Sequence, residues 1–169
     1  MNIVLIGYRG TGKSTVGKLL AARLGRELVS TDKEIVTRAK RTIPEIVALK
    51  GWEYFRDLES EVCRELAGRD QLVIDTGGGA ILRAQNVEAL KKNGTVFWLT
   101  ASVETIAKRI GGDNQRPSLT GTKSFVDEVQ DVLRERAPKY QAAADHVVAT
   151  DDRSIDQLVE VLLALLPSS

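Results

Sequence analysis

Asn2-Ile3-Val4-Leu5-Ile6 followed by Gly7-Tyr8-Arg9-Gly10-Thr11-Gly12-Lys13-Ser14 is the stretch whose reading decides the fold. The first five residues form a short continuous apolar run, the pattern of a strand buried on both faces. The next eight satisfy G-x-x-x-x-G-K-[ST] at every fixed position. Glycines are needed there because backbone N–H groups must wrap a phosphate in conformations that a Cβ obstructs. Gly10, Thr11 and Gly12 line that cradle, and the helix that follows presents its positive end at Lys13, Ser14 and Thr15. Lys13 supplies a point charge to the β- and γ-phosphates, and the Ser14 hydroxyl is placed to ligate Mg²⁺. The sequence has no N-K-x-D motif of the kind that reads guanine, so ATP is the expected nucleotide.

Strand and helix patterns alternate on either side of this loop. A helix from Lys13 carries Val16, Leu19, Leu20 and Leu24 on one face and stops at Gly25. Glu27 to Ser30 reads as a second strand, with helices expected from Asp32, from a Thr42–Glu45 capping box, and over Trp52 to Ala67. Leu72 to Asp75 and Thr95 to Leu99 are buried strands around a helix from Arg83 to Lys92. Ser102 caps a helix running to Ile110, another spans Phe125 to Arg136, His146 to Ala149 is a strand, and Ser154 opens the last helix. Gly111 to Lys123 has no periodicity and reads as a mobile loop. The alternation predicts a three-layer α/β fold with five parallel strands, helices on both faces, and ligands beyond the strands' carboxyl ends.

The bulk numbers fit one domain. A chain of 169 residues with 43% hydrophobic composition fills a single core without staples. Lys+Arg 24 against Asp+Glu 23 leaves +1, which gives no electrostatic case for nucleic acid or an anionic membrane. No apolar run approaches the roughly 20 residues of a spanning helix. A soluble cytoplasmic protein is expected, and a monomer, since no long apolar seam appears. Cys63 is the single cysteine and is expected to be buried and inert. His146, the single histidine, lies far from the motifs and is read as structural.

Beyond the P-loop stand Asp32, Gly51 to Glu59 (GWEYFRDLE), Gly77-Gly78-Gly79, Arg116-Pro117 and Arg136-Ala137-Pro138-Lys139-Tyr140. In this order and spacing they make the chain resemble the shikimate kinase family over almost its whole length. The resemblance implies one P-loop kinase domain over 1–169, with a substrate-binding region at 32–60 and a lid at 111–123. It implies ATP- and Mg²⁺-dependent phosphorylation of the shikimate 3-hydroxyl, a step of chorismate and aromatic amino acid biosynthesis. Arg56 and Arg136 would hold the acceptor carboxylate, a task suited to guanidinium forks. Glu59, three residues after Arg56, would hold that fork in place; read alone, the pair is an exposed helix salt bridge. Phe55 would pack on the acceptor ring or in the core. The three glycines imply close approach of a ligand to bare backbone, and by resemblance Gly78 and Gly79 contact the acceptor, with the Gly79 N–H on a hydroxyl.

Asp32 is placed to take the proton of the attacking hydroxyl, and its alternative role is N-cap of the next helix. Arg116 resembles the lid arginine that neutralises the transferring phosphoryl group. Arg109 and Arg153 resemble nucleotide-facing residues, Arg153 near the adenine.

The likeness breaks at Ser30-Thr31-Asp32, where the family usually carries Asp-x-Asp. Ser30 cannot supply the missing charge. Asp75, at the end of an apolar strand, stands where other P-loop enzymes keep a metal-side aspartate, and its alternative role is to cap the glycine turn. Trp52, where the family often has Glu, reads as packing. The rival readings are a kinase of similar fold acting on another polyol or sugar acid such as gluconate, and a nucleotide-binding module without catalysis.

Overall fold

All five residues of β1 (Asn2–Ile6) are buried, as expected for a central strand. The computed structural model describes residues 1–110 and 125–168. In it β1 pairs on one side with β3 (Leu72–Asp75) and on the other with β4 (Gly94–Thr100). β2 (Glu27–Ser30) and β5 (His146–Ala149) are the edges, and every pairing is parallel in the order β2-β3-β1-β4-β5.

Alternation along the strands sorts the core into two faces. Val4, Ile6, Ile74 and Val96 point to one side, where α2 (Thr31–Ala39), α3 (Ile43–Ala67), α4 (Ala84–Lys92) and α6 (Phe125–Ala143) bring Ile35, Phe55, Leu90 and Tyr140. Ile3, Leu5, Val73 and Phe97 point to the other, against Val16 and Leu20 of α1 (Lys13–Leu24) and Leu158 and Leu162 of α7 (Ile155–Leu165). A smaller apolar group joins Tyr8 to Ile106 and Ile110 of α5 (Val103–Ile110) and to Val129 and Val132 of α6. It anchors the start of the P-loop to the helices on either side of residues 111–124.

Local signals explain most boundaries. Thr42 and Ser154 form capping boxes with Glu45 and Gln157. Ser102 Oγ accepts the N–H of Thr105 at 3.2 Å. The two helices expected on either side of Gly51 run on as α3, with a break at Gly51 (φ 86, ψ 168).

Two expectations change. The helix after β2 starts at Thr31, because Ser30 rather than Asp32 caps it, accepting from the Lys33 N–H at 3.3 Å. The helix from Phe125 does not end at Arg136 but continues to Ala143 through Pro138. Tertiary packing outweighs the proline: Tyr140 has no exposed surface and stacks on Trp98 with ring centroids 5.4 Å apart. Proline leaves one carbonyl without its helical donor, that of Arg134, an exposed position.

His146 stacks on Phe97 at 5.2 Å in the sheet, in keeping with a structural histidine. Among the described residues no helix is long and apolar enough to cross a membrane.

Candidate active site

The loop leaving β1 emerges in mid-sheet and opens a cleft of about 410 Å³. Gly10 and Gly12 take φ 84° and 92°, a region costly for any residue with a side chain. Gly12 is also the N-cap of α1 and offers no side-chain acceptor, so the first-turn N–H groups are left for an anion. Lys13 is 7% exposed, and its Nζ donates to the carbonyls of Gly7 (2.8 Å) and Tyr8 (3.0 Å). The ammonium is thereby held along the loop it serves. Thr15 is exposed and lines the cleft.

Beside the lysine, the Ser14 hydroxyl donates to Asp75 Oδ2 at 2.6 Å. A hydroxyl that gives its one proton to a carboxylate turns its lone pairs elsewhere, the state a metal ligand requires. Burial pushes the Asp75 carboxyl up, against the pull of Lys13 and the Ser14 hydrogen bond. Asp75 does not close the glycine turn, because the Gly77 N–H donates to Thr31 Oγ1 at 2.8 Å. Thr31 was not picked out from sequence, and no motif marks it.

Gly77, Gly78 and Gly79 prove to be where the rest of the site converges. A Cβ on Gly77 would meet Asp32 Oδ1 at 2.5 Å and Glu59 Oε2 at 3.0 Å. One on Gly79 would overlap the guanidinium of Arg56. One on Gly78 would stand 3.5 Å from Arg136 Nη1 and 3.6 Å from the backbone nitrogen of Arg9. The space that bare backbone leaves at Gly77 and Gly79 is therefore taken by the chain's own charged side chains. Only Gly77 and Gly78 of the three line the cleft.

The Arg56–Glu59 pair is no surface bridge. Nη1 donates to Glu59 Oε1 at 2.9 Å, with the side chains 12% and 0% exposed. The guanidinium carbon lies 5.4 Å from the Trp52 ring centroid and 5.2 Å from that of Phe55. Trp52 meets Phe55 edge-on at 5.8 Å, so both support the fork by packing. Phe55 has no exposed surface and belongs to the core. Arg136, 8% exposed, lies on α6 one turn before Tyr140, whose hydroxyl donates to the Gly78 carbonyl. Burial pushes the Tyr140 hydroxyl up to about 12, with Arg136 pulling the other way.

Arg109 also lines the cleft and donates through Nη1 to the Gly10 carbonyl at 3.0 Å. Arg153 is exposed outside it, its Nη1 3.4 Å from the Ala149 carbonyl. Arg116 and the segment 111–123 lie outside the described residues. Three cleft residues are not singled out by the sequence: Lys33, next to Asp32, Thr76, between Asp75 and the glycines, and Arg9, in a variable position of the P-loop.

The shikimate kinase family profile matches residues 9–167. A shikimate kinase of Nitratidesulfovibrio vulgaris is 47% identical over 170 residues, covering 99% of this chain and 96% of its own. A solved shikimate kinase from Acinetobacter baumannii in complex with shikimate superposes with a TM-score of 0.92 at 39% identity, over 97% of this chain and 91% of its own. The Aquifex aeolicus shikimate kinase structure gives 0.84 at 34% identity, over 97% and 95%. The five-stranded parallel sheet and its helices are the P-loop kinase fold of these proteins.

Proposed function

The chain belongs to the shikimate kinase family, and from that premise we propose how its residues move a phosphoryl group from ATP to an acceptor. The activity is that of an ATP:shikimate 3-phosphotransferase. One observation carries the assignment of residues: the Gly77–Gly79 segment touches the groups of the acceptor half, while Asp75, two residues earlier, touches Ser14 beside Lys13. A single strand end thus joins an anion cradle to a pair of buried guanidiniums.

In this assignment the backbone of Gly10, Thr11 and Gly12, with Lys13 and Thr15, holds the nucleotide phosphates. Ser14 would hold Mg²⁺, and Asp75, bonded to its hydroxyl, would take over from the acidic residue absent at Ser30 in orienting the ion's water. One hydroxyl donor fits an ion that keeps most of its water and phosphate ligands. When bound, that ion supplies charge neutralisation on the phosphates. Arg56 and Arg136 orient the acceptor carboxylate, with the Gly78 and Gly79 backbone along the ring. Asp32 receives the proton of the attacking hydroxyl. Arg109 faces the nucleotide. By family likeness alone, Arg116 is the cation on the transferring group, Arg153 approaches the base, 32–60 is the acceptor region, and 111–123 is the lid of a single domain. Catalysis is then chiefly positioning and charge neutralisation.

We further propose a cytoplasmic monomer. Among the described residues its large exposed apolar side chains are few: Leu49 and Tyr54 on α3, and Val126, Val147 and Leu165 singly on α6, β5 and α7, besides Met1.

The test is ADP release by the purified chain with ATP and Mg²⁺, offered shikimate, gluconate or no acceptor. Release is expected with shikimate alone. Equal release with gluconate, or release that needs no acceptor, overturns the assignment.

A further inference from the structure

Arg9 is a cleft residue that the assignment above leaves without a role. It occupies a P-loop position the motif leaves open, lines the cleft, and its Nη1 is buried without a hydrogen-bond partner. A guanidinium nitrogen in that condition has lost water and gained nothing, a cost that cleft residues carry when a ligand completes them. Its backbone places it on the acceptor side, since the Arg9 nitrogen and Arg136 Nη1 converge on the same point beside Gly78. Charge points the same way. The acceptor half otherwise carries two carboxylates, Asp32 and Glu59, and two guanidiniums, Arg56 and Arg136, of which Arg56 and Glu59 are paired. An incoming carboxylate would leave that set one charge short, and Arg9 makes up the difference.

We propose that Arg9 is a third guanidinium of the acceptor site, engaging the carboxylate of the bound acid from the P-loop side. This deepens the acceptor assignment above and rests on it. The residue then links the two halves: a loop that grips phosphate also senses whether an acid lies opposite.

The experiment is calorimetric titration of the full chain and of Arg9→Met with shikimate, with the methyl ester of shikimate, and with MgADP. The substitution is expected to weaken shikimate binding about 10- to 100-fold, with the ester and MgADP held within about twofold of wild type. Arg9→Lys restores part of the loss, as a charge without a fork. Arg9→Gln repeats the comparison should Met collapse the loop.

Unchanged shikimate affinity in these variants overturns the inference, as does a loss that falls equally on the ester or on MgADP. A wild-type chain that binds no shikimate overturns the acceptor assignment itself, and this inference with it.

Discussion

Adding one methyl group at Gly79 should cost more in catalysis than in stability. The new Cβ would land on the Arg56 guanidinium, which Glu59 holds at 2.9 Å and which lies over Trp52 and Phe55. The obstructing atoms are the far end of a flexible side chain, so the fold yields by moving them, at about 1 kcal/mol, the low end of overpacking. The fork, however, leaves its position. A hydrogen bond to a charged group contributes about 1.5–3 kcal/mol, and each 1.4 kcal/mol is tenfold. Gly79→Ala should therefore lower kcat/KM for shikimate about 10- to 150-fold while leaving the KM for ATP near wild type. Alanine keeps the backbone N–H, so the effect reports on Arg56 rather than on a lost donor. The assay is ADP release with shikimate varied at saturating ATP, for Gly79→Ala, Arg56→Met and the double variant. If Gly79 acts through Arg56, the double variant is little worse than Arg56→Met alone. Wild-type kinetics in Gly79→Ala, or independent losses that multiply in the double variant, would refute the reasoning.

Further outcomes follow from three buried polar groups. Asp75→Asn should raise the Tm of the nucleotide-free protein at neutral pH. Burial lifts the native carboxyl above its unfolded value, so wild type loses stability as pH rises through the native pKa and its deficit against Asn closes below about pH 4. The same variant should need more Mg²⁺ for half-maximal activity, and an unchanged requirement removes Asp75 from the metal assignment. Tyr140→Phe should lower the unfolding free energy obtained from urea titration by about 1–3 kcal/mol, because the buried Gly78 carbonyl loses its hydroxyl donor. Cys63, with a thiol pushed up to about 12 by burial, should resist iodoacetamide at pH 8 in the folded protein and react once urea exposes it; native labelling would contradict its burial.

The fold was legible because its signals are local. Apolar runs marked the strands, capping boxes at Thr42 and Ser154 marked helix starts, and the glycine octet marked the loop between β1 and α1. Legibility failed where a distant contact outranked a local rule. Pro138 reads as a stop, yet Tyr140 locks the next turn onto Trp98. Asp32 reads as a cap as readily as Ser30 does, and nothing nearby says that Thr31 must face Gly77. The Arg56–Glu59 pair looks like any i,i+3 surface bridge until its burial is known.

The three glycines show why a site is harder to read than a fold. Their composition implied that a ligand approaches bare backbone, the right physics with a different occupant at two of the three. The occupants at Gly77 and Gly79 turn out to be Asp32, Glu59 and Arg56, side chains from α2 and α3. The missing Cβ atoms of Gly77 and Gly79 let charged groups from two helices lie against one strand end, where the Gly77 amide is already bound to Thr31 and the Gly78 carbonyl to Tyr140. Such buried charges are tolerable only when each has a partner or awaits one. The strand end therefore fixes the acceptor groups rigidly, while Ser14 and Asp75 tie the same strand to the phosphate loop. Acceptor and donor are registered by one short piece of sheet, so a substitution there should disturb their alignment more than the grip on either alone.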